Sequence, residues 1–156
     1  MEDDTQLLST HFLLKLYCVN LTNIMETNIS GIVEMVSKSI DLKEPWFVKS
    51  IEIVKCELHV YVDILELSKV TCSKCGELCK HFGYEKEEHI WRHVDCLSFA
   101  CYIHCRRPNI TCKKHGTKVI DVPWARRNCN FTSMFESHVI TLLEYIPKKK
   151  VSKILK

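Results

Sequence analysis

The sequence predicts an α+β fold, a small antiparallel β domain followed by a helical segment. Three observations carry this reading. Apolar residues alternate with polar ones from Val48 to Ile64 and return in short runs up to Val122, the period of strands with one buried face. Beyond Phe131 the spacing changes to that of an amphipathic helix, with Phe135, Val139, Leu142, Leu143 and Ile146 on one stripe. Within the strand-patterned stretch lie two short knuckles, one with two cysteines and one with a cysteine and a histidine, each ending in glycine.

Residues 1–44 read as an N-terminal extension with one or two helices between Gln6 and Met35. Leu7, Leu8, Phe12, Leu16 and Val19 fall near helical spacing. Pro45-Trp46 marks the boundary to a β-rich domain over residues 45–125. There Val48–Val54 and Glu57–Ile64 form an antiparallel hairpin, turning at Lys55-Cys56, with Leu58, Val60, Val62 and Ile64 inward. His59 falls on the polar face as a solvated strand residue. Ile90–Asp95, Phe99–Cys105, Asn109–Cys112 and Lys118–Val122 read as further strands.

Residues 126–156 form a third segment. Ser133-x-x-Glu136 matches a capping box, in which the two side chains answer unpaired N–H groups of the first turn. Core packing is the expected role of the apolar stripe that follows. Pro147 stops the helix, and Val151, Ile154 and Leu155 begin a second amphipathic stretch.

The knuckles carry the chemistry. Cys72-Ser73-Lys74-Cys75-Gly76 and Cys112-Lys113-Lys114-His115-Gly116 each offer two ligands separated by two residues. Two such loops supply the four corners of a tetrahedral zinc site, and the glycine after each second ligand suits a turn with φ > 0. One structural Zn²⁺ held by Cys72, Cys75, Cys112 and His115 is the expectation, and it makes the β domain zinc-ribbon-like. Cys79 and His81 follow closely and rank second, because the four knuckle residues already complete a tetrahedron. Cys101 and Cys105 read as buried thiols.

Composition narrows the classes. The chain has 156 residues, 46% of them hydrophobic and 26% charged, which suits a globular protein. No apolar run reaches the length of a membrane span, and no secretory leader is evident, so a reducing, cytoplasmic setting with reduced thiols is expected for the 10 cysteines. Net charge is +3, but residues 1–105 carry 10 Lys/Arg against 16 Asp/Glu, and residues 106–156 carry 12 against 3. A basic end on an acidic body points to a polyanion, with Arg126, Arg127, Lys148, Lys149, Lys150 and Lys153 as phosphate contacts. Enzymatic readings fail on their partners: His104 and Cys105 are adjacent strand residues that point apart, and neither that pair nor His93 with Asp95 has a third orienting group or an oxyanion donor nearby in sequence.

Taken in order, Trp91-Arg92-His93-Val94-Asp95, Tyr102-Ile103-His104, Cys112-x-x-His115-Gly116, Val122-Pro123-Trp124-Ala125-Arg126, Phe131-Thr132 and Phe135-Glu136 resemble the N-terminal region of bacterial insertion-sequence transposases of the ISL-three family. The resemblance covers about residues 42–156. It implies a zinc-binding domain, then a helix-turn-helix that is incomplete here, and a role in recognising the terminal inverted repeats of a transposon. The family's recognition helix and its Asp-Asp-Glu catalytic domain have no counterpart in these residues, so no enzymatic activity is expected of this chain. Ser73 and Lys113 stand where family knuckles often have proline, and Asn109 where a basic residue is common. The resemblance also implies DNA as partner, with self-association or association with a full-length transposase. A free-standing regulator that competes for transposon ends is one alternative; a protein-interaction zinc module is another.

Overall fold

The computed structural model describes residues 29–67, 70–96 and 98–155. The chain divides into two compact units, Met1–Met35 and Val36–Lys156. Most of the first, including the helical reading of residues 6–28, lies outside the described residues. Helix α1 spans Ile29–Ser39, and its final turn contributes Val36 to the core of the second unit.

That unit is built on two sheets. Strands β1 (Trp46–Val54), β2 (Glu57–Ile64), β4 (His89–Cys96) and β5 (Phe99–Cys105) form one, in the order β1-β2-β5-β4. Strands β3 (Lys80–Tyr84), β6 (Pro108–Cys112) and β7 (Gly116–Val119) form the other, in the order β3-β6-β7. The fold is thus mixed α+β with open sheets. One expectation is corrected: β2 and β5 pair in parallel, His59 opposite Tyr102 and Tyr61 opposite His104, so the domain is not purely antiparallel. The segment between β2 and β5 is long enough to hold the first knuckle, β3 and β4, and that length permits a parallel return where a hairpin turn cannot.

The β1–β2 hairpin follows the alternation read from sequence. Leu58, Val60, Val62 and Ile64 are all buried, and the register runs from Trp46 opposite Ile64 to Val54 opposite Glu57. Its two-residue turn places Lys55 and Cys56 at φ 50° and 64°, the left-handed region that favours Asn-Gly. The expected last strand ends early. β7 stops at Val119, because Asp121 turns out to meet Ser73 and Arg127.

The core joins the sheet to the later helices through tryptophans. Trp124 stands edge-on to Trp46 at 5.0 Å and to Trp91 at 5.6 Å between ring centroids. Helices α2 (Ser133–Tyr145) and α3 (Lys148–Ile154) follow. The expected capping box is not formed. Thr132 is the N-cap and its hydroxyl accepts from the Phe135 N–H at 3.2 Å, while the Ser133 N–H is already given to the Trp124 carbonyl at 2.8 Å. Glu136 turns to Arg126 instead. The α2 stripe is core only in part: Phe135 is buried, Val139, Leu142 and Ile146 are half-buried, and Leu143 is 45% exposed; with Ile140, Val151 and Leu155, Val139 and Leu143 line an open groove of about 540 Å³. No described helix is long and apolar enough to cross a membrane.

Candidate metal centre

Both knuckles are built alike. In the first, the Gly76 N–H donates to the Cys72 carbonyl at 2.7 Å, and Gly76 takes φ 71°. In the second, Cys112 pairs with Gly116 at the end of the β6–β7 hairpin, and Gly116 takes φ 68°. The left-handed turn read from the two glycines is therefore present in both. Its consequence is electrostatic. Burial pushes the Cys72 thiol up, but N–H groups of Lys74 and Cys75 and the Lys118 ammonium aim at its sulfur and bring it down to about 5. Cys112 is treated the same way: burial raises it, and the N–H groups of His115 and Lys114 lower it further. Cys75 has only the Glu77 N–H, which is outweighed by burial and the neighbouring thiols, so its pKa is raised.

The ligand atoms of Cys72, Cys75, Cys112 and His115 all lie within 4.8 Å of one another. Cys75 Sγ to Cys112 Sγ is 3.6 Å, Cys72 Sγ to His115 Nδ1 is 3.6 Å, and Cys112 Sγ to His115 Nδ1 is 3.7 Å. Three sulfurs and an imidazole nitrogen converge on one point, and the group is able to coordinate a metal ion. Ser73, which stands in place of proline, is held another way: its hydroxyl donates to Asp121 at 2.8 Å and accepts from Lys118 at 3.0 Å.

The residues that prompted the family resemblance are mostly structural. Buried Arg92 reaches the carbonyls of His93 and Cys101, pairs with Asp95, and packs over Tyr102 and Phe135. Its backbone exchanges hydrogen bonds with Asn130 and Thr132 at 2.8 and 3.0 Å. Fully buried His93 joins three elements. Ser39 Oγ donates to the Val36 carbonyl at 2.8 Å, so it must accept from His93 Nε2–H at 3.1 Å. His93 Nδ1 is then the acceptor for the Thr132 hydroxyl at 2.8 Å. Burial and the Arg92 charge hold the His93 pKa down at about 4, so the ring is neutral.

The expected phosphate contacts divide into two groups. Arg126 is held bidentate by Glu136 at 2.6 and 3.0 Å, and Arg127 by Asp121 at 2.6 and 2.9 Å. Their partner carboxylates sit below their usual pKa for this reason. Lys148, Lys149, Lys150 and Lys153 are exposed on α3 and enter no ion pair among the described residues.

One polar cluster went unread in the sequence. His59 is half-buried rather than free in solvent: it stacks on Tyr102, and its Nδ1 lies 2.9 Å from His104 Nε2. His104 Nδ1 in turn lies 2.9 Å from Glu88, the orienting carboxylate that sequence neighbours did not supply. The signal that could have found it was two histidines on strands of equal alternation, but only the parallel register sets them side by side. Cys101 and Cys105 are buried thiols as expected, both pushed up to about 12 first of all by burial.

Fold and site together define a mixed α+β chain with a cysteine- and histidine-based cluster able to coordinate a metal ion. Comparison with known proteins adds a distant relationship to transposases. The chain is 26% identical over 85 residues to the transposase for insertion sequence element IS1557 of Mycobacterium tuberculosis, in two strains of that organism. The match covers 54% of this chain and 19% of each transposase. The matched stretch is therefore about a fifth of the length of these relatives. No protein-family model matches the chain, and no solved structure matches it.

Proposed function

We propose that this chain is a zinc-dependent DNA-binding module related to the front part of an insertion-sequence transposase of the ISL-three family, and that its target is the terminal inverted repeat of a transposon. The observation that carries the reading is the spacing of the four ligand atoms. A tetrahedron with bonds of about 2.3 Å to sulfur and about 2.0–2.1 Å to nitrogen has edges of about 3.5–3.8 Å. Three of the six separations, 3.6, 3.6 and 3.7 Å, match that figure, and all six lie within 4.8 Å. The donor set, three thiols and one imidazole, suits zinc over the harder divalent ions.

Cys72, Cys75, Cys112 and His115 would hold the ion, and with all four corners filled by protein its contribution is structural. The inward-facing amides and Lys118 offset the charge that three thiolates bring. The ion then ties the β2–β3 connection to the β6–β7 turn, and so fixes residues 45–125 as the zinc domain preceding the helix-turn-helix-like segment 126–156. DNA contact falls first to Lys148, Lys149, Lys150 and Lys153, which are exposed and enter no ion pair among the described residues. Arg126 and Arg127 join it only by exchanging a carboxylate for a phosphate. Such contacts position a protein without reading sequence. Cutting and joining of DNA belong to the whole relative and are not assigned to these residues. A cytoplasmic, DNA-associated location follows from the same reading.

Fluorescence anisotropy of the zinc-loaded chain tests it, with duplexes from a related element's terminal repeats against scrambled duplexes of equal length. The proposal expects salt-dependent binding that favours the repeats. No binding at low salt would refute it and favour a protein-interaction module.

A further inference from the structure

The first knuckle folds back on itself beyond its second ligand. Thr71 bridges Leu78 in antiparallel fashion, the Cys79 N–H donates to the Val70 carbonyl at 3.0 Å, and the Cys72 N–H donates to the Glu77 carbonyl at 2.8 Å. Side chains alternate across such a ladder, so Thr71 and Leu78 share one face while Cys72 and Cys79 share the other. Burial follows the alternation: Leu78 is 69% exposed, whereas Cys72 and Cys79 are 1% and 8% exposed. A fifth potential ligand thus stands on the metal face. Its thiol neighbours that of Cys112 and donates to the Glu77 carbonyl at 3.4 Å, yet it lies outside the four atoms grouped within 4.8 Å. His115, the single nitrogen ligand, is by contrast solvent-exposed.

We propose that Cys79 is a reserve ligand, giving the cluster a second, all-thiolate mode in which Cys79 replaces His115 and which selects thiophilic ions such as cadmium. The proposal rests on the metal-site reading above. In the exchange the bond from metal to His115 Nδ1 breaks, a bond from metal to Cys79 Sγ forms, and the Cys79 proton passes to solvent. No electron changes hands. The exposed imidazole can swing into water, while the Cys79 sulfur must release the Glu77 carbonyl and turn toward the cluster. Soft thiolates favour soft ions, so the all-sulfur mode is the better one for cadmium.

Cobalt titration of the full chain reads the sulfur count directly. Wild type is expected to give a tetrahedral spectrum with three thiolates. In His115→Ala the thiolate-to-cobalt absorbance per ion should rise by about a third, as sulfurs go from three to four. In His115→Ala/Cys79→Ser it should fall back. A His115→Ala protein that keeps three-sulfur intensity, or that binds no cobalt while wild type does, overturns the reserve-ligand role. A wild-type protein with no tetrahedral cobalt spectrum would instead sink the metal-site reading. A second measurement leaves His115 intact: Cys79→Ser should lower the preference for cadmium over cobalt about tenfold, and an unchanged preference overturns the proposal.

Discussion

Thr132 is the point where sheet, helix and buried histidine meet, so its replacement has a calculable cost. Its hydroxyl accepts the Phe135 N–H as the α2 cap and donates to His93 Nδ1. Thr132→Val keeps the shape and removes both bonds. Loss of the cap costs about 1 kcal/mol. Leaving the His93 nitrogen buried without a donor costs about 1–3 kcal/mol more. Together the variant should lose about 2–4 kcal/mol, a large part of the stability of a small domain. Thr132→Ser keeps both bonds and loses one buried methyl, about 1 kcal/mol. Urea denaturation of the metal-loaded proteins, followed by tryptophan fluorescence, measures both. The reasoning is refuted if valine costs under about 0.5 kcal/mol, or if serine costs as much as valine.

Further predictions follow from the same geometry. The His93 pKa is about 4 when folded against 6.5 otherwise, so the unfolded chain binds the proton first. The neutral ring's contribution is complete above about pH 6.5 and is lost as pH falls toward 4, on the order of 3 kcal/mol; the difference in stability between wild type and His93→Gln should narrow across that window. Replacing Lys55-Cys56 by Asn-Gly relieves two left-handed non-glycine residues and should raise stability by about 1 kcal/mol; a fall in the denaturation midpoint would argue against the turn. Lys148→Ala/Lys149→Ala/Lys150→Ala should flatten the dependence of log K on log salt by up to about 2.7, at about 0.9 per lost phosphate contact. Asp121→Asn frees Arg127 and should steepen it by about 0.9 if that arginine then meets a phosphate. Slopes that stay unchanged in both variants would remove these cations from the DNA-binding face.

What the sequence made legible was mostly local. The hairpin is explicit in the alternation from Val48 to Ile64, and the knuckles in their spacing and glycines, because both are fixed by a few consecutive residues. Glycine at 76 and 116 even announced the sign of φ. What escaped depended on register between distant strands. The parallel pairing of β2 with β5 moved His59 from solvent to the side of His104. The cap shifted from Ser133 to Thr132 because the sheet edge keeps hold of the chain up to Thr132, which no propensity records. The arginines 126 and 127 looked free in a basic run. Their carboxylate partners, Glu136 and Asp121, stand 10 and 6 residues away and become partners only in the fold.

Zinc content measured together with folding tests the central claim most directly. Native mass spectrometry and far-UV circular dichroism should be recorded for wild type, for the chelator-treated protein and for Cys112→Ser. The account predicts one tightly held zinc per wild-type chain, loss of the β signature when a chelator removes it, and an unfolded or aggregated serine variant, since binding energies of ~10–16 kcal/mol exceed a small domain's net stability. A metal-free chain with its sheets and melting temperature intact would contradict it.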